Sequence, residues 1–156
     1  GFWPTKETFF AKLNSLPKGN KNPLRRLITW KSTVMSLKAV KTGEFVGYGN
    51  SYMALENIRL AIVPVGYGHG YSRLLSNQGM VLIKGNYCQV VGTVTMNAIA
   101  VNVSKIKDLK IGDEVILIGK QGGKEITVAS FSESTQQVNY EMLTRLPKDI
   151  PRKIIP

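Results

Sequence analysis

The chain has 156 residues, of which 43% are hydrophobic and 20% charged, a balance that fits one folded domain and excludes a disordered segment. No apolar run approaches the ~20 residues that a helix needs to cross a bilayer, so the sequence predicts no membrane-spanning helix. The net charge of +11 is compatible with nucleic acid binding, but the basic residues lie in small scattered groups without an interleaved aromatic ladder, which favours a solvated basic surface.

The first predicted element is a short helix near the start of the chain. Thr5 is a suitable N-cap, and apolar residues at positions 9, 10 and 13 form one face of the helix. Residues 17–23 are rich in proline, glycine and asparagine, which is typical of a linker. We therefore predict an N-terminal segment at residues 1–23 and the domain proper at residues 24–156.

From residue 24 onward, short β-rich runs alternate with turn signals, the pattern of an antiparallel barrel or sandwich. Gly85 and Asn86 indicate a hairpin turn between two of these runs. After residue 126 helical character returns, with Thr127 and Asn139 as caps of two short helices. The predicted fold class is all-β, an antiparallel β-barrel with an N-terminal helix and short C-terminal helices. The β-rich runs are residues 27–37, 45–49, 59–65, 80–84, 87–101 and 114–118.

The most conspicuous stretch is LAIVPVGYGHGYSR at residues 60–73, where an apolar run ends in a loop with three alternating glycines. Glycine allows positive φ and a close backbone approach, while Tyr67 and Arg73 supply a hydroxyl and a guanidinium group. The loop is no dinucleotide-binding fingerprint, because its last glycine interval is one residue short and a polar stretch follows instead of a helix. On these residues alone, a packed hairpin and a functional loop both remain open.

Other common chemistries find little support in the sequence. His69 is the only histidine, and without a second histidine or a cysteine pair we predict no metal site and no catalytic triad. The single Cys88 has no partner for an internal disulfide, which is compatible with a reducing compartment such as the cytoplasm. What remains is unusual tyrosine usage: Tyr48 and Tyr67 each lie between two glycines at a strand end, 67 − 48 = 19 residues apart.

Nine short segments together resemble the C-terminal β-domain of alanine racemase, a fold type III pyridoxal-phosphate enzyme. They run in family order from about residue 24 to residue 153, and they are specific as a set although each is weak alone. The segments are VMSLK (34–38), GEFVGYG (43–49), residues 65–73 with LSN (75–77), VGTVTM (91–96), GDEV (112–115), residues 119–123, IT (126–127), VNYE (138–141) and PR (151–152).

The resemblance implies roles for individual residues. Tyr48 matches the catalytic tyrosine, the base that removes or returns the Cα proton on one face of the substrate. Met96 matches the residue whose backbone N–H meets the substrate carboxylate, and Tyr140 matches a tyrosine that contacts the cofactor phosphate. Three residues match positions around the substrate entryway: Tyr67, Arg73 and Asn97.

The resemblance also implies a cofactor and partners. The cofactor is pyridoxal 5'-phosphate, held mainly by an N-terminal barrel that carries the second base, a lysine. The expected reaction is the interconversion of L- and D-alanine, which supplies D-alanine for peptidoglycan, in a cytoplasmic homodimer where Tyr48 and Met96 complete the active site of the partner subunit. Because the 156-residue chain lacks that lysine, we expect it to be inactive alone and to bind the cofactor weakly.

The chain departs from the usual family pattern at four positions. Thr93 stands where an arginine is usual and Asn97 where an aspartate is usual, so one charge of each sign is lost. Gly68 and His69 replace an alanine and an aspartate. Because of these changes, an amino-acid racemase of broader specificity remains an alternative. Two readings from other classes also remain: a basic nucleic-acid-binding barrel, and a dimerisation module without activity.

Overall fold

The computed structural model describes residues 28–135 and 139–154, without the side chains of residues 132–141. The predicted N-terminal helix and linker therefore lie outside the described residues. The described part of the chain contains ten strands and two α-helices: β1 Trp30–Thr33, β2 Ser36–Val40, β3 Phe45–Val46, β4 Tyr52–Met53, β5 Ile58–Val63, β6 Met80–Ile83, β7 Asn86–Val91, β8 Ile99–Asn102, β9 Glu114–Gln121, β10 Lys124–Ile126, α1 Val128–Thr135 and α2 Asn139–Thr144.

Eight strands form one antiparallel sheet, which confirms the predicted all-β class. Seven of them follow the order β1-β9-β6-β7-β8-β5-β2, and β10 pairs with β9. The predicted hairpin is β6 and β7, but its turn is Lys84 and Gly85, at φ 47° and 71°, one residue earlier than the predicted Gly85 and Asn86. Positive φ at both central residues matches the right-handed twist of the two strands.

The run 27–37 is two strands rather than one. It divides at Val34 and Met35, whose N–H groups donate to the carbonyls of Asp113 (2.9 Å) and Ile62 (2.8 Å) respectively. Strand β1 then pairs with β9, and β2 pairs with β5. Because only two residues link the strands at the two ends of the sheet order, the sheet must curve back on itself. No described residues pair β1 with β2, so closure into a barrel stays a prediction.

A smaller apolar cluster holds a separate hairpin, β3–β4, against the sheet. Val46 of β3 packs in this cluster with Leu60 of β5 and Val91 of β7. Phe45 pairs with Met53 and Val46 with Tyr52, so residues 47–51 form the tip of the hairpin. The cluster thus fixes where that tip, which carries Tyr48, lies relative to β5 and β7.

The two described helices, α1 and α2, follow β10. Thr127 caps α1 as predicted, since its Oγ1 accepts a hydrogen bond from the Ser130 N–H at 3.1 Å. The side chain of Asn139 lies outside the described side chains, so its capping role stays a prediction. None of the helices described here is long and apolar enough to cross a membrane.

Tyr71 lies in the main core, fully buried between two other aromatic rings. Its ring centroid is 6.1 Å from that of Trp30 and 5.5 Å from that of Phe131. Its hydroxyl has no hydrogen-bond partner among the residues that the structure describes. Burial raises the pKa of this phenol, so it stays neutral and serves as packing.

We expect Tyr71→Phe to leave the free energy of unfolding unchanged or to raise it by up to about 1 kcal/mol, because the change removes a buried polar group that makes no bond. Tyr71→Ala is the control, with an expected loss of about 3–5 kcal/mol from the cavity it creates. Denaturant unfolding of the variants measures both. A loss above about 1 kcal/mol in Tyr71→Phe would mean that the hydroxyl is bonded after all.

Candidate functional site

Tyr48 lies at the tip of the β3–β4 hairpin, in a 3-10 turn formed by Tyr48–Asn50. Three residues of the tip, Gly47, Gly49 and Asn50, have φ of 82°, 74° and 51°, values that glycine adopts freely and asparagine tolerates. The Tyr48 side chain is 76% exposed. The turn therefore presents a phenol at the surface.

The Tyr48 turn packs against the end of β7 through two glycines. A Cβ on Gly92 would lie 2.9 Å from the Val46 carbonyl oxygen, and a Cβ on Gly47 would lie 3.1 Å from the Thr93 nitrogen. Both glycines also have positive φ, 77° for Gly92 and 82° for Gly47. Larger residues at these positions would push the two backbones apart.

The Thr93 hydroxyl stabilises this contact through hydrogen bonds. Its Oγ1 donates to the Tyr48 carbonyl at 3.0 Å and lies 2.7 Å from the Ser51 Oγ. A threonine hydroxyl has one proton, so Ser51 is the donor in the second bond. Thr93, at the position where the family resemblance leads us to expect an arginine, thus bonds directly to the Tyr48 turn.

Tyr67 lies in a second 3-10 turn, Tyr67–His69, after β5. The Tyr67 N–H donates to the Thr95 carbonyl at 3.0 Å, and the Gly68 N–H donates to the Met96 carbonyl at 2.9 Å. A Cβ on Gly66 would lie 2.1 Å from the Thr95 carbonyl oxygen, so only glycine permits this approach. The Tyr67 loop is therefore docked on residues 95–96.

His69 has a structural role in the same loop. Its Nδ1 accepts a hydrogen bond from the Gly66 N–H at 3.3 Å. This bond assigns the ring proton to Nε2. A carboxylate is also an acceptor, so the aspartate that the family resemblance leads us to expect at this position is chemically able to accept the same hydrogen bond.

Met96 and Asn97 form the tip of a tight turn closed by Thr95 and Ala98. The Thr95 N–H and Oγ1 both donate to the Ala98 carbonyl, at 3.1 and 2.9 Å. The Met96 side chain is 56% exposed, and its N–H makes no hydrogen bond among the described residues. Within the described part of the chain, that N–H is thus an unused donor next to the docked Tyr67 loop.

Arg73 begins a third 3-10 turn, Arg73–Leu75. Together with Tyr67, Ser72 and Arg145 it lines a cavity of about 340 Å³. A second, larger groove of about 580 Å³ lies beside the Tyr48 turn, lined by Gly47 and Thr93 among others. Two of the predicted entryway residues, Tyr67 and Arg73, thus share one cavity.

The segment 92–97 connects these features, because Thr93 contacts the Tyr48 turn and Met96 contacts the Tyr67 loop. Tyr140 belongs to α2, but its side chain is outside the described side chains, so its role stays a prediction.

Among the residues described, no group of three histidine, cysteine or acidic side chains is able to hold a metal. Burial raises the pKa of the Cys88 thiol to about 11, so it is no nucleophile at neutral pH.

The family model described as "Alanine racemase, C-terminal domain" matches residues 27–154. The chain belongs to this family. The alanine racemase of Halothermothrix orenii is 38% identical over 134 residues, which are 86% of this chain and 35% of that protein.

Solved structures agree with this membership of the alanine racemase C-terminal domain family. The enzyme from Oenococcus oeni superposes with a TM-score of 0.80 at 25% identity, covering 88% of this chain and 38% of that one. The enzyme from Bartonella henselae, with covalently bound pyridoxal phosphate, gives 0.75 at 31% identity, covering 81% and 34%. The chain therefore spans about a third of the length of these alanine racemases.

Sequence reasoning missed the polar residues that support the Tyr48 turn, above all Ser51 and Asn77. Asn77 bonds to both the Ser51 carbonyl and the Gly92 N–H. Its only sequence signal is its place in the family segment LSN at residues 75–77, since its partners are 26 and 15 residues away along the chain.

Proposed function

We propose that this chain supplies the tyrosine base and the substrate entryway of an alanine racemase. The observation that carries the proposal is the placement of Tyr48 in a chain of this family. Its phenol is exposed, and it lies on a turn that contains positive-φ residues and is hydrogen-bonded to Thr93 at the end of β7. Tyr48 is the residue that the family resemblance assigned as the base. The proposed reaction is the interconversion of L- and D-alanine.

Racemisation needs a proton removed from one face of the substrate Cα and returned on the other, so two groups must flank the substrate. Pyridoxal 5'-phosphate, when bound, supplies the electron sink for this chemistry. In our proposal the phenolic oxygen of Tyr48 accepts or returns the Cα proton on one face of the substrate. The second base is a lysine of the N-terminal barrel, outside this chain.

The groups present in this chain fit one side of such a site. The Met96 N–H, which makes no hydrogen bond among the described residues, suits a substrate carboxylate, and the Arg73 guanidinium beside Tyr67 suits the carboxylate group of a zwitterionic amino acid that passes it. Tyr140 would contact the cofactor phosphate, and Asn97 would line the entryway. Most cofactor ligands would come from the rest of the protein.

We further propose that the full-length protein is a cytoplasmic homodimer, in which Tyr48 and Met96 complete the active site of the partner subunit. Their side chains are 76% and 56% exposed in this chain, and Leu74, which lines the cavity of Tyr67 and Arg73, is 55% exposed. Exposed apolar and aromatic side chains of this kind are typical of a surface that another domain covers.

The alternative of nucleic acid binding finds no support, since the three relatives above are all alanine racemases.

The test is an assay of the full-length protein with pyridoxal phosphate and L-alanine. We expect D-alanine to form, and we expect no activity from the 156-residue chain alone. Serine assayed in parallel tests whether the changes at Thr93 and Asn97 broaden the specificity, through the ratio of kcat/KM values. Racemisation by the isolated chain, or its absence in the full-length protein, would contradict the proposal.

A further inference from the structure

We propose that Asn77 is a positioning residue that holds the Tyr48 turn against the end of β7. Its bridging role stands on hydrogen bonds within this chain. Its consequence for catalysis rests on the proposed function of Tyr48.

Asn77 uses both ends of its side-chain amide. Its Nδ2 donates to the Ser51 carbonyl at 3.0 Å, and its Oδ1 accepts from the Gly92 N–H at 2.6 Å. The two partners fix the orientation of the amide, because a carbonyl only accepts and an N–H only donates. One side chain therefore joins the Tyr48 turn to the glycine that packs against it.

The segment around Asn77 is itself held in place. The carbonyl of Asn77 accepts a hydrogen bond from Gln89 Nε2 at 2.8 Å. The neighbouring Ser76 Oγ accepts from the Val94 N–H at 3.0 Å and donates to the Arg73 carbonyl at 2.5 Å. Hydrogen bonds to Gln89 of β7 and to Val94, which follows β7, therefore hold the backbone from which the Asn77 side chain extends.

Ser51 is the point where the bridge meets the Tyr48 turn. Its carbonyl accepts from Asn77, and its hydroxyl donates to Thr93, which in turn donates to the Tyr48 carbonyl. These bonds hold the residue that directly follows Asn50, whose positive φ asparagine tolerates. A catalytic group misplaced by about 1 Å loses about 100-fold in rate, so the rigidity of this turn matters for proton transfer.

Two variants separate the two bonds of Asn77. Asn77→Gly removes both, while glycine adopts the φ of 59° without strain. Asn77→Asp keeps the acceptor for the Gly92 N–H and removes the donor to Ser51. Asn57→Gly is the matched control, because Asn57 also accepts a backbone N–H, that of Thr42 at 3.0 Å, at the opposite end of the β3–β4 hairpin.

The first measurement is amide hydrogen exchange in the full-length protein. We expect residues 47–51 to exchange about 10-fold faster in both Asn77 variants, the change that follows from about 1.4 kcal/mol of lost local stability. Gly92 should lose protection in Asn77→Gly alone, and Asn57→Gly should leave both regions unchanged. Unchanged protection of residues 47–51 in the Asn77 variants would overturn the proposal.

The second measurement is steady-state racemisation by the same proteins. We expect Asn77→Gly to lower kcat by about 10- to 100-fold with KM within about twofold, and Asn77→Asp to recover part of kcat. An unchanged kcat in a folded Asn77→Gly protein would overturn the catalytic consequence. If the wild-type full-length protein failed to racemise alanine, the proposed function would fail, whereas the exchange experiment would still decide whether Asn77 holds the turn.

Discussion

Replacing Tyr48 by phenylalanine in the full-length protein is expected to abolish proton exchange at one face of the alanine Cα and to spare exchange at the other. The substitution removes the phenolic oxygen and keeps the ring, so binding contacts of the ring remain. A positioned acid or base contributes about 10²- to 10⁴-fold to a rate, so racemisation should fall by at least about 100-fold.

The measurement is loss of the Cα proton signal from each alanine enantiomer in D₂O. One enantiomer should still exchange in the Tyr48→Phe protein, and the other should not. Tyr87→Phe is a suitable control, because Tyr87 is 46% exposed and its hydroxyl donates to the Glu125 carbonyl, remote from the Tyr48 turn in the sheet. Equal loss of exchange on both faces would count against Tyr48 as one of two bases.

The second large effect is expected for Gly66→Ala, which should destabilise the chain by more than about 3 kcal/mol. Its Cβ would lie 2.1 Å from the Thr95 carbonyl oxygen and 2.5 Å from that of Met96. Overpacking a tight site costs about 1–3 kcal/mol, and more where backbone atoms cannot yield. The clash is relieved only if the turn that carries Met96 and Asn97 is displaced. The KM of the full-length protein for alanine should therefore also rise.

Gly43→Ala provides the comparison for this variant. Gly43 has φ +85° and no atom within 4 Å of an added Cβ, so alanine there suffers only backbone strain of about 1–2 kcal/mol. Denaturant unfolding of the two variants separates the steric effect at Gly66 from the general cost of replacing a glycine. Equal destabilisation would contradict the close docking of the Tyr67 loop.

Strands with strong local signals could be predicted from the sequence, as β5 and the β6–β7 hairpin show. The apolar run of β5 and the glycine after Lys84 are both local features. The division of run 27–37 was missed because no glycine or proline marks it. Long-range hydrogen bonds of Val34 and Met35 to Asp113 and Ile62 divide that run.

The candidate site shows the same contrast. The glycines at positions 66 and 68 allowed either positive φ or a close backbone approach, and the structure has a close approach there, against Thr95 and Met96. Tyr48 carried no local signal strong enough to choose it as a base, and only the family resemblance did so. The support from Asn77 and Thr93 escaped prediction because their bonds join residues far apart in the chain.

The most direct test of Tyr48 as the base is a crystal structure of the full-length protein with pyridoxal phosphate and alanine bound. We predict the Tyr48 phenolic oxygen within about 3.5 Å of the alanine Cα, on the face opposite the lysine. A Tyr48 oxygen beyond the reach of a direct contact or of one bridging water, more than about 6 Å away, would contradict the account.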